Sequence, residues 1–105
     1  MVGIDDRVLC RTPAAPQGTG TNIPVWKFEA VRSAILAELS RGKAPASALV
    51  ARVRDRLPAH ELGRLGSLGW HVTTIRLEME VRGEVARLSE GPLVVGLGPH
   101  ANSGL

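Results

Sequence analysis

The run GWHVTTIRLEMEVRGEV at residues 69–85 constrains this chain more tightly than any other stretch. At about 100° per residue, Leu68, Val72, Ile75 and Met79 fall on one stripe, which is the expected core face of a helix. Trp70, Thr74, Leu77 and Val81 fall almost opposite. Water contact with such side chains forfeits roughly 25 cal/mol per Å² of apolar area, so the helix needs cover on two sides. Its limits are well marked: Ser67 is a natural N-cap, and Gly83 can take the left-handed conformation that ends a helix.

A chain of 105 residues holds one modest core. With only Trp26, Phe28 and Trp70 as aromatic residues, Leu, Val, Ile and Ala must supply most of it. Phe28, Val31, Ile35 and Leu39 recur at helical spacing, predicting a first helix over residues 24–40 that Gly42 breaks. Leu49, Val50, Val53 and Leu57 share a face of a second helix that Pro58 stops. One further turn fits residues 59–65, and a short strand fits residues 8–11. After Gly83, EVARL and LVVGL flank the turn-like SEGP, which is a hairpin signal.

The expected fold class is therefore α+β, mainly α: a winged helix-turn-helix, with three helices followed by a β-hairpin wing. The Pro-, Gly- and Thr-rich stretch RTPAAPQGTGTN points to an irregular N-terminal arm over residues 1–23. The winged-helix domain then occupies residues 24–97, and residues 98–105 form a flexible tail.

WKFEAVRSAIL in the first helix and LGSLGWHVTTIRLEMEVRGEVARL around the third resemble a family of small bacterial proteins of unknown function. The resemblance covers roughly residues 8–97. Its most specific part is the order Trp-x-x-Thr-Thr-(Ile/Val)-x-Leu-(Glu/Asp)-(Met/Leu)-Glu-x-x-Gly. It implies a winged-helix-like fold and carries no activity or catalytic residue. TTIRLEMEVRGEVARL is also similar in pattern to winged-helix modules of some regulators and restriction enzymes, an analogy of fold alone.

The formal charge of +3 is unevenly spread. Residues 24–58 hold seven basic side chains against three acidic ones, whereas residues 59–105 hold four against five. The basic Lys43, Arg52, Arg54 and Arg56, with the uncharged Ser67, His71 and Thr73 at the start of the third helix, form the expected surface for duplex DNA. The neutral third helix and slightly acidic wing oppose that reading, because a phosphate backbone attracts crowded Lys and Arg.

Little else carries chemistry. His60, His71 and His100 lack partners at metal-ligand spacing, so no metal is expected, and no cofactor. His71 otherwise reads as a polar surface residue. Glu78 and Glu80 read as solvated charges in surface pairs with Arg82 and Arg76. GTGTN lacks the Gly-Lys-Ser/Thr ending of a phosphate loop. Cys10 has no activating neighbour, no catalytic residue is assigned, and an enzyme is not expected. A single cysteine excludes an internal disulfide, and with no leader or long apolar run after Met1 the expectation is a cytoplasmic chain with no membrane partner.

The second apolar faces, Trp26, Ala30 and Ala37 on the first helix and Trp70, Leu77 and Val81 on the third, have two candidate covers. One is the arm folded back together with the wing. The other is a second copy of the chain, as a homodimer. Two functional readings follow: a DNA-binding protein, extending to a transcriptional regulator, and a protein-interaction or dimerisation module that binds no DNA.

Overall fold

The structure, a computed structural model, describes residues 6–101. The outer ends of the expected arm and tail, residues 1–5 and 102–105, lie outside them. The chain runs β1 (Arg7–Cys10), β2 (Thr21–Pro24), α1 (Val25–Leu39), β3 (Ala44–Pro45), α2 (Ala46–Arg54), α3 (Ala59–Leu65), α4 (Leu68–Val81), β4 (Val85–Glu90) and β5 (Leu93–Leu97).

This order overturns the expected succession of three helices and a terminal hairpin. The described residues form four helices and two small sheets, with strands at both ends of the chain. β1 and β2 pair antiparallel, Cys10 opposite Thr21 and Arg7 opposite Pro24, where an irregular arm was expected. The second sheet has the order β3-β5-β4, so a two-residue strand between α1 and α2 joins the C-terminal hairpin through Ala44 opposite Val95. The strand expected over residues 8–11 is present as Arg7–Cys10, but its pairing into a hairpin and the extra strand β3 have local reasons for going unread. β1 and β2 are four residues each and flank a Pro- and Gly-rich loop, too short for a visible period of two, and β3 contains a proline, which a sequence reading demotes.

α1, α2 and α4 converge on an aliphatic core. Phe28, Val31 and Ile35 from α1, Leu49 and Val53 from α2, and Ile75 and Met79 from α4 are fully buried, with Val72 nearly so. The N-terminal hairpin packs on α1 and α4 and adds Cys10 and Ile23 to that core. At the start of α4 the Trp70 backbone N–H donates to Ser67 Oγ at 3.2 Å. At its end Gly83 takes φ +78°, while Glu84 N–H bonds to Met79 O at 2.9 Å and Gly83 N–H to Glu80 O at 3.1 Å. That pair of bonds is a Schellman closure, and it turns the chain at once toward β4.

The hairpin is held to α4 by a carboxylate. Glu78 has no exposed surface and accepts from the Arg11 backbone N–H at 2.8 Å, from Arg11 Nε and Nη2 at 2.9 and 2.6 Å, and from Arg82 Nε at 2.8 Å. Arg32 makes a similar fork on the buried Glu84, at 2.9 and 2.6 Å, tying α1 to the entrance of β4. Glu80 receives Arg87 Nε at 2.7 Å and also Arg76. The expectation of solvated surface pairs is thus corrected for Glu78 and Glu80: partners from outside the helix enclose both carboxylates, with side chains 0% and 5% exposed.

Burial on its own pushes the Glu78 carboxyl up, but the hydrogen bonds from Arg11 and Arg82 outweigh it and hold the group below its usual 4.5. A group lowered in this way adds stability above its unfolded pKa and loses it as pH falls through the folded value. Glu78→Gln is therefore expected to lower the thermal midpoint at about pH 7 by several degrees, and parent and variant should converge as pH falls below roughly 4. Melting followed by circular dichroism across that window checks it. A constant gap between the two at all pH values would exclude an ionised Glu78 as the clamp.

Candidate functional site

α1 ends at Leu39, and the chain turns through Gly42, whose φ of +139° a side chain would resist. This turn and the C-terminal end of α2 enclose an open cleft of about 650 Å³ lined by Glu38, Arg41, Gly42, Lys43, Arg52, Asp55 and Arg56. Four cations and two carboxylates thus face one hollow. Glu38 is nearly buried and receives Arg56 Nε, whereas Asp55 joins no ion pair among the described residues. Arg41, Lys43 and Arg52 are exposed and join no ion pair among the described residues.

The local chemistry accounts for part of this set. Arg52 and Arg54 lie in the last turn of α2, where a cation meets the negative end of the helix dipole. Lys43 has the opposite position. It stands three residues before the first residue of α2, near the positive end of that dipole, and α2 has no acidic residue in its first turn to compensate.

Elsewhere most arginines are committed, the exposed Arg7 of β1 and Arg54 of α2 being the exceptions among the described residues. Arg11, Arg32, Arg76, Arg82 and Arg87 each hold a carboxylate. Arg64 lies over the Trp26 ring at 5.0 Å, with Lys27 Nζ at 5.8 Å from the same ring and donating to Leu65 O at 3.0 Å. The uncommitted positive charge of the described helices therefore gathers at the α1–α2 turn and the end of α2.

Of the residues expected to meet DNA, the cleft brings together Lys43, Arg52 and Arg56, and adds Arg41. Arg54 is exposed on α2 outside the cleft lining. Ser67, His71 and Thr73 also lie outside it. Ser67 is spent on capping α4, and Thr73 is exposed. His71 is buried rather than on the surface: its Nδ1 is 2.6 Å from Ser67 O, so that nitrogen donates, and its ring stands edge-on to Trp70 with centroids 4.8 Å apart. Arg41 carried a sequence signal in being one of two cations flanking a helix-ending glycine. The Glu38 to Arg56 pairing carried none, because it depends on how two helices pack.

The apolar faces divide. Trp26, Ala30, Ala37, Leu77 and Val81 are half-buried, whereas Trp70 remains 46% exposed. Among the described residues no group of three or more His, Cys, Asp or Glu is arranged to hold a metal ion, and no helix is long and apolar enough to cross a membrane.

A family model described as a family of unknown function matches residues 7–95. No curated protein and no solved structure matches the chain.

Cys10, the last residue of β1, points into the core, and burial, with the nearby Glu78 charge, pushes its thiol up to about 11. The folded protein at about pH 8 is therefore expected to react with an aromatic disulfide reagent far more slowly than the urea-unfolded chain, since the thiolate is the nucleophile. Equal rates in the two states would show that the hairpin does not stay closed over the core.

Proposed function

Because the chain belongs to the DUF6958 family, whose function is unknown, we propose its role from its own surface: it binds duplex DNA by laying the α1–α2 turn and the end of α2 along the phosphate backbone. The observation that carries this reading is the collection of Arg41, Lys43 and Arg52, exposed and without ion pairs among the described residues, around one cleft. Phosphate contacts position a protein without reading sequence. Arg54 extends the same basic surface along α2. Thr73, exposed on α4, is the member of the proposed base-reading set that stays free, since His71 is committed to Ser67.

Contacts to three phosphates would lower affinity about 40-fold between about 50 and about 200 mM salt. The double variant Lys43→Ala, Arg52→Ala should weaken binding to all duplexes alike and reduce the salt slope by roughly two. Fluorescence anisotropy with random duplexes is the measurement. No binding by the parent at low salt and tens of micromolar protein would reject the reading.

A second reading is favoured by Trp70, which is 46% exposed in the first turn of α4. In it, the α4 face bearing Trp70, Leu77 and Val81 meets a second copy of the chain together with the Trp26, Ala30 and Ala37 strip of α1, a self-matching pair of surfaces suited to a twofold dimer. Sedimentation at micromolar concentration should then give twice the monomer mass, and Trp70→Ala should shift it toward monomer. A monomer at all concentrations would remove this reading and leave the first untouched.

A further inference from the structure

Within the cleft the cations are not equivalent. Arg41, Lys43 and Arg52 are exposed and hold no hydrogen bond or ion pair from their side chains among the described residues, whereas Arg56 is held through Nε by Glu38, a residue of α1 whose side chain is only 10% exposed. Arg56 itself keeps 34% of its side chain exposed and lines the hollow, and neither Nη atom has a protein partner among the described residues. A guanidinium held at Nε with both Nη groups free offers two parallel N–H donors at a set position, which is the arrangement that meets two oxygens of one phosphate.

We infer that the cleft is a seat for a single phosphate group, with the Nη edge of Arg56 as its fork and Glu38 as the positioning residue that holds the fork in place. This rests on reading the cleft as an anion site and assigns the inner part of it to one phosphate. Arg41, Lys43 and Arg52 supply the surrounding positive charge, and Asp55 opposes it. A volume of about 650 Å³ accommodates a terminal phosphate or pyrophosphate as well as a backbone phosphodiester. The shared chemistry is the tetrahedral oxyanion.

The role given to Glu38 has a counter-intuitive consequence. Removing a negative charge beside an anion site should strengthen binding if charge alone matters. Removing the group that orders Arg56 should weaken it. Calorimetric titration with inorganic pyrophosphate distinguishes the two. Glu38→Ala is expected to lower affinity about 10-fold, the loss of one charge-assisted bond. Glu38→Gln keeps an oxygen acceptor for Arg56 Nε and should stay within about 3-fold of the parent or bind more tightly. Arg56→Lys, which keeps the charge and loses the fork, should fall about 10-fold, and Asp55→Asn should gain about 2-fold to 5-fold. Melting curves accompany each variant, and Glu38→Gln and Asp55→Asn keep the test open if Glu38→Ala fails to fold.

Parallel titrations with 5′-phosphorylated and 5′-hydroxyl duplexes identify the source: a preference for the phosphorylated ends assigns the seat to a terminal phosphate, and equal binding assigns it to the backbone. Pyrophosphate binding without duplex binding would reject the DNA reading and keep the seat. Absence of pyrophosphate binding, or an Arg56→Lys protein that binds as the parent does, would overturn the inference even where duplex binding persists.

Discussion

Glu78 organises the molecule because a carboxylate without exposed surface must find its hydrogen-bond donors inside the protein. One donor, Arg82, comes from a turn further along the chain, but the other three N–H groups belong to Arg11, in a segment 67 residues earlier. The helix and the N-terminal hairpin therefore cannot be completed separately. Arg82 also lies over the Phe28 ring at 4.7 Å, so the same triad reaches α1. A buried ion pair is weak evidence for net stability, since desolvation consumes much of its attraction. Its geometric effect is firmer: only one placement of β1 on α4 brings the Arg11 backbone and side chain to both carboxylate oxygens, and that placement inserts Cys10 and Ile23 into the core.

The same economy explains the distribution of charge. Glu84 with Arg32, Glu80 with Arg76 and Arg87, and Glu38 with Arg56 repeat the pattern of a helix-borne or loop carboxylate capturing arginines from a different turn or element. Each capture neutralises or fixes a cation that would otherwise stand free, and Arg56 keeps its Nη edge in the cleft while Glu38 holds its Nε. The formal charge of +3 thus says little by itself. What matters is that the captures occur mainly along the C-terminal half of α4 and the strands after it, leaving exposed cations at the α1–α2 turn.

The sequence made some of this legible and concealed the rest, for identifiable reasons. α4 was readable to within a residue because Ser67 and Gly83 have local chemistry that ends helices, and its core stripe needed only periodicity. The hairpin was unreadable as a paired element because β1 and β2 are four residues each and their pairing is decided by where they dock. Glu78 looked like any surface carboxylate with an arginine four residues on. Its burial comes from Arg11, which no local pattern links to it. For the cleft, charge density alone pointed to Lys43, Arg52 and Arg56, while the ordering of Arg56 by Glu38 required the packing of α1 on α2.

The two apolar faces of α4 follow from these lengths and anchors. A helix of 14 residues is about 21 Å long, whereas a strand of four residues reaches only about 14 Å. A strand that short covers only part of α4, and the Arg11 clamp on Glu78 anchors the end of the strand beside the C-terminal half of the helix. Trp70 lies eight residues before Glu78, about 12 Å along the axis, beyond that anchor, and it is there that exposure rises to 46%. The second face of the helix is therefore one surface with two fates. Leu77 and Val81, near the Arg11 clamp, are half-buried, whereas Trp70, about two turns away, stays open to solvent.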